Sequence, residues 1–123
     1  MLVGVLLLLV ALVTADVTLV VSRIKPVVDH TNEALAAVRA GDYRLARSLS
    51  CSRDGLSSAA YAEFWRSLEQ AKGGAITGYS VNMAQVRGDH ARVDYDLTFS
   101  NDRTLQLTVD AYHERGRWRP CLP

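Results

Sequence analysis

Hydrophobic and polar positions along the chain follow three successive patterns. Residues Leu2 to Val21 are almost continuously apolar, interrupted by Gly4, two threonines, two alanines and a single acid, Asp16. Apolar positions then recur at helical spacing, and from Ala75 onward they alternate with polar ones at a period of two. The change of period predicts an α+β layout, with helices first and a sheet after them.

The helical stretch divides into three. Pro26 suits a first helical turn, and Val28, Leu35 and Val38 share one face as far as Ala40. Gly41 ends this helix, and Asp42 is placed to cap a second, short one that carries Leu45, Ala46 and Leu49 toward the same core. After the polar turn Ser52-Arg53-Asp54-Gly55, Ser57 or Ser58 caps a third helix. Its Tyr61, Phe64, Trp65, Leu68 and Ala71 form an apolar stripe. Gly73-Gly74 follows a helix and does not precede one, so the pair reads as a terminator and not as a phosphate cradle.

In the alternating stretch, Tyr79, Val81 and Met83 are expected on one face of a first strand. Arg87-Gly88-Asp89-His90 is a turn, after which Ala91, Val93, Tyr95, Leu97 and Phe99 alternate with Arg92, Asp94, Asp96 and Thr98. Ser100-Asn101-Asp102-Arg103 turns into Leu105, Leu107, Val109 and Ala111, alternating with Gln106, Thr108 and Asp110. Glu114-Arg115-Gly116 turns into a short last strand around Trp118 and Cys121.

The apolar run, about 20 residues, has the length a helix needs to cross a bilayer. Asp16 lies in its last third, near headgroup depth, where a carboxylate costs less than at mid-bilayer. A cleaved signal peptide competes, because Val13-Thr14-Ala15 offers small or modest residues before Asp16. The anchor is the preferred reading, giving residues 1–22 as transmembrane anchor or uncleaved signal and residues 23–123 as an extracytoplasmic domain. Arg23 and Lys25 follow the run, and no basic residue precedes it, which the positive-inside rule would read the other way. An upstream start that supplies a short basic tail is the expectation that reconciles the two.

Charge is nearly balanced, with 14 Lys and Arg against 13 Asp and Glu, and the signs are interleaved. Nucleic-acid binders concentrate positive charge on one face, so that partner is excluded. Two cysteines, Cys51 and Cys121, read in an exported domain first as a disulfide. They lack the histidines of a zinc site and the spacing of a redox pair, and Ser48-Leu49-Ser50-Cys51 stands too far beyond the apolar run to be a lipoprotein box.

Ala-Gly-Asp-Tyr at 40–43, Gly-Asp-x-Ala at 88–91 and Glu-x-Gly-x-Trp at 114–118, closing on Cys121, carry a resemblance. Over residues 26–123 the chain resembles the nuclear transport factor 2-like superfamily, and within it the small membrane-anchored extracytoplasmic type of actinobacteria. The resemblance implies three helices packed on a curved antiparallel sheet of about four strands, a cone that encloses a pocket. Relatives use that pocket either for catalysis or only for binding.

Catalytic members of the superfamily set an Asp or His inside the cone as a base. Here alternation puts Asp94, Asp96 and Asp110 on the polar face, away from the helices. His113 continues the apolar face and is expected to look into the cone near Tyr61, Trp65 and Tyr95, the four residues forming a candidate ligand pocket. A single histidine without a partner acid is more often structural, and an aromatic stripe at helical spacing is more often core. His30 and His90 are expected to be solvated. Ser48, Ser50, Ser57 and Ser58 lack a nucleophile elbow and suit capping or loop roles. No catalytic residue, metal site or cofactor is assigned.

These observations favour a single-pass protein of the cytoplasmic membrane. Its extracytoplasmic domain would be a non-catalytic accessory module binding a small apolar ligand or an envelope protein. Two alternatives are a subunit that docks in a larger membrane complex through its transmembrane helix, with Asp16 paired inside the bilayer, and a small isomerase- or dehydratase-like enzyme using His113.

Overall fold

A computed structural model of the chain describes residues 22–123, so the apolar run and the readings attached to it lie outside the described residues. Helix α1 occupies residues 22–39, α2 Tyr43–Ser48 and α3 Ser58–Lys72, with a 3-10 turn at Ser52–Asp54 between the last two. Four strands follow: β1 Ile76–Arg87, β2 His90–Phe99, β3 Thr104–Glu114 and β4 Arg117–Pro120. They form one antiparallel sheet in the order β1-β2-β3-β4, with the helices on one face, and the curled sheet makes a half-barrel. Among the described residues no helix is long and apolar enough to cross a membrane.

Local chemistry sets the boundaries. Gly41 adopts φ 75 and Gly73 φ 76, left-handed conformations that release a helix where a side chain would be strained. Asp42 accepts from the backbone N–H of Leu45, and Ser57 from that of Ala60, as N-caps. At the β3–β4 hairpin Arg115 and Gly116 both take positive φ, as a two-residue turn of matching twist requires. Helix α1 does not begin at Pro26 but already includes residues 22–25.

Two expectations about facing are corrected. Leu45, expected in the core, is 47% exposed, and Ala46 is the residue of α2 that is buried. Successive helical side chains point about 100° apart, so Ala46 meets the core while its neighbour Leu45 turns out. Met83 is 51% exposed because β1 carries a bulge: Val81 pairs with Tyr95 and Met83 with Asp94, leaving Asn82 unpaired. The extra residue inverts the alternation, so Ala84 and Val86 turn inward and Met83 joins Asp94 on the outer face. A second irregularity lies between Ile76 and Gly78. Bulges of this kind bend a strand, and both lie on the strand at the sheet's margin.

The core joins Val27, Leu35 and Val38 of α1, Ala46 of α2 and Tyr61 and Trp65 of α3. Against them pack Val93, Tyr95, Leu97, Phe99, Val109, Ala111 and Trp118 of the sheet. The strict alternation read in β2 is observed: Ala91, Val93, Tyr95, Leu97 and Phe99 are buried and the residues between them less so.

Candidate functional site

The space between helices and sheet is filled by the protein's own aromatic groups. Tyr61, Trp65 and Tyr95 are each only 2% exposed, and Phe99 is fully buried. Trp65 makes edge contacts with both Tyr61 and Phe64, at ring separations of 6.2 and 5.2 Å. Ser50 Oγ is hydrogen-bonded to the Tyr61 hydroxyl at 2.9 Å and the Ala46 carbonyl at 2.8 Å, so a buried polar group is satisfied in place. Burial pushes the Tyr95 phenol well above its ordinary range and raises Tyr61 too, the latter against the pull of the Ser50 bond. Three of the four candidate pocket residues are therefore together, but as packed core.

His113 is elsewhere. It faces the helix side of the sheet, as alternation predicts, and pairs across the ladder with Trp118, the rings 5.3 Å apart. It sits at the far end of β3, exposed, where its backbone N–H donates to the carbonyl of Asp89 at 2.8 Å. There it lines a cleft of about 420 Å³ with Ser22, Arg23, Pro26, Val86, Gly88, Asp89 and Trp118. This volume lies within the usual range of small-ligand sites. The start of α1, the β1–β2 turn and the β3–β4 end supply its walls. Those segments are far apart in sequence, and only the shared inward register of His113 and Trp118 hinted at the site.

His30, expected to be solvated, bonds instead to the strand that carries Trp118. Its Nδ1 accepts the backbone N–H of Trp118 at 2.9 Å, a bond between α1 and β4. Burial, and then the Arg117 guanidinium, push the His30 pKa below its ordinary value, although Glu33 and Asp29 pull the other way. Arg117 Nη2 donates to Glu33 at 2.8 Å, a second link between the same elements.

Asp94, Asp96 and Asp110 are on the outer face, as expected. Asp94 accepts from Thr108 at 2.7 Å, and Asp110 lies 2.9 Å from His90 Nε2. His90 is therefore partnered, and its ring also lies 5.0 Å from that of Tyr112. Arg53 stacks over the Tyr112 ring, its Cζ 3.8 Å from the centroid.

Cys51 and Cys121 form a disulfide, with Cα atoms 4.9 Å apart. Around it the α2-to-α3 connection wraps the β4 edge: Cys51 N–H donates to the Pro120 carbonyl, and Asp54 accepts from Leu122 N–H. Glu114 accepts from both the backbone and the hydroxyl of Ser52, and these bonds hold its carboxyl below the ordinary range. Arg119 donates to the Ser48 and Glu114 carbonyls, and its burial lowers its pKa. Strand β4 stops at Pro120, so strict alternation no longer governs where Cys121 points. An otherwise open sheet edge is thus covered and stapled.

No family model matches this chain, and no curated protein does. Among solved structures, it is similar to a Campylobacter jejuni protein described as a "Putative NTF2-like transpeptidase", where NTF2 denotes nuclear transport factor 2. The two share 14% identity with a TM-score of 0.58, over 77% of this chain and 96% of that one. Two designed proteins are more distant. One has a curved β-sheet (17% identity, TM-score 0.38, covering 52% of this chain and 58% of that one), and the other is the NTF2-fold design NT-9 (23%, 0.32, 54% and 46%).

Proposed function

We propose that this chain, which has the nuclear transport factor 2-like fold, is a non-catalytic binding or accessory domain of the cell envelope. Its apolar N-terminal run tethers it to the outer surface of the cytoplasmic membrane, in the manner of the small membrane-anchored members that its sequence resembles. The observation that carries the reading is the filled cone. Tyr61, Trp65 and Tyr95 occupy the space where a substrate would sit, and the strand carboxylates Asp94, Asp96 and Asp110 point away from it.

Acid–base catalysis needs a titratable group aimed at a reacting atom in a water-poor space. His113 is exposed and packed beside the Trp118 ring, surroundings that favour a binding role over that of a base. The transpeptidase named for the Campylobacter protein belongs to a chain that shares only the fold with this one. Binding is left to the surface, and the cleft at the start of α1 is one concave part of it. The covered and disulfide-linked β4 edge suits an oxidising compartment.

The test is a topology experiment on the full chain. Two reporters are fused in turn after Pro123, one active only outside the cytoplasm and one only inside, and the membrane fraction is washed at high pH. The expected result is activity of the external reporter alone, retained in the washed membranes. Activity of the internal reporter alone, or release of the chain by the wash, would overturn the proposal.

A further inference from the structure

The cleft lies at one particular end of the domain. Ser22 and Arg23, the first described residues of α1, line it, and they directly follow the apolar run that ends at Val21. The β1–β2 turn, Gly88-Asp89, lines it too, and the β3–β4 turn at Arg115-Gly116 lies two residues beyond His113 at the same end of the sheet. A chain leaving a bilayer at residue 21 therefore enters this cleft's wall at once. On the tether proposed above, the opening stands at headgroup depth.

Its chemistry is suited to that position. One exposed arginine, Arg23, stands in its wall. Arg23 and the His113 ring offer donors to a phosphate, and the Trp118 indole and Val86 offer apolar surface to the glycerol backbone of a lipid. Asp89 is the one acid in the lining. A carboxylate there repels a bare phosphate but accepts a hydroxyl, so the site suits a phosphodiester that carries a polyol.

We propose that this cleft binds the headgroup of an anionic phospholipid of the phosphatidylglycerol type, drawn from the leaflet in which the chain is anchored. Arg23 and His113 hold the phosphate, and Asp89 accepts a hydroxyl of the headgroup. Lipid binding there would set the angle between domain and membrane, since α1 is described from Ser22, directly after the apolar run, and packs into the core.

The experiment uses the full chain incorporated into nanodiscs of mixed phosphatidylcholine and phosphatidylglycerol, with the lipid retained after release measured by native mass spectrometry. The wild type should retain phosphatidylglycerol severalfold over its share of the bulk lipid. Arg23→Ala and His113→Ala, both at exposed positions, should each bring the ratio back toward the bulk value, and Arg39→Ala at the far end of α1 should not. Retention at the bulk ratio in the wild type, or unchanged enrichment in both cleft variants, would overturn the proposal. So would displacement of the lipid by soluble glycerol phosphate, which would make the cleft a site for a free anion. A chain that does not enter the discs at all would sink the tether as well, whereas one that enters and binds without preference sinks only the lipid site.

Discussion

His30 Nδ1 accepts the backbone N–H of Trp118 at 2.9 Å, tying the middle of α1 to the short strand β4. A ring nitrogen can accept only while unprotonated, so this bond selects the neutral imidazole. Burial and Arg117 lower the folded-state pKa below that of the unfolded chain, as this selection requires. The contribution to stability is therefore complete above the unfolded value, about 6.5. It is lost as pH falls from there through the lowered folded value.

His30→Asn places an amide oxygen near the Nδ1 position and removes the proton. Its melting temperature should depend less on pH below about 7 than that of the wild type, since no ring remains to be protonated there. His30→Ala should lose about 1 kcal/mol at neutral pH, the ordinary worth of one such bond. Thermal melts of the three proteins across that range give the comparison. Parallel wild-type and Asn curves would show that the bond does not select the neutral ring.

The disulfide closes a loop with a sequence separation of 70 residues. Chain entropy puts its stabilisation at up to about 4 kcal/mol, and real bridges often supply less. Cys51→Ser and Cys121→Ser should each destabilise by about 2 to 4 kcal/mol, and the double variant by no more than the larger single loss. Denaturant titrations of the three variants decide. Additive losses would mean that each cysteine contributes independently of the bond.

Trp65 is ordinary core in this structure, so Trp65→Ala should cost about 3 to 5 kcal/mol. His113→Ala, at an exposed ring, should stay within about 0.5 kcal/mol. Equilibrium unfolding with unchanged denaturant dependence is the measurement. A loss at Trp65 smaller than about 1 kcal/mol would mean that the indole borders open space.

The bulge at Asn82 makes a sharp contrast between neighbours. Met83→Lys, on the outer face opposite Asp94, should change stability by less than about 0.5 kcal/mol. Ala84→Asp, buried opposite Val93, should cost about 2 to 4 kcal/mol because an unpaired charge enters the core. The reverse order in melting temperature would place the bulge elsewhere in β1.

Much of this architecture is carried by local pattern. Helix ends are legible because Gly41 and Gly73 are where a side chain would be strained and Asp42 and Ser57 are where an oxygen can cap. The faces of β2 are legible because its alternation is unbroken, and the pairing of Cys51 with Cys121 because only two cysteines exist. Tertiary structure decided the rest. A bulge leaves no mark in hydropathy, so Met83 and Ala84 exchange the faces that alternation assigns them. His30 looks solvated in a list of residues, and only the arrival of β4 supplies its partner. The same limit applies to the candidate pocket. Its aromatic residues and their inward faces are readable from spacing. Whether Tyr61, Trp65 and Tyr95 line a space or fill it depends on the summed volumes of side chains brought from α1, α3 and all four strands. Close packing is a property of that sum and not of any segment, which is why the cone closed and the cleft opened at its end.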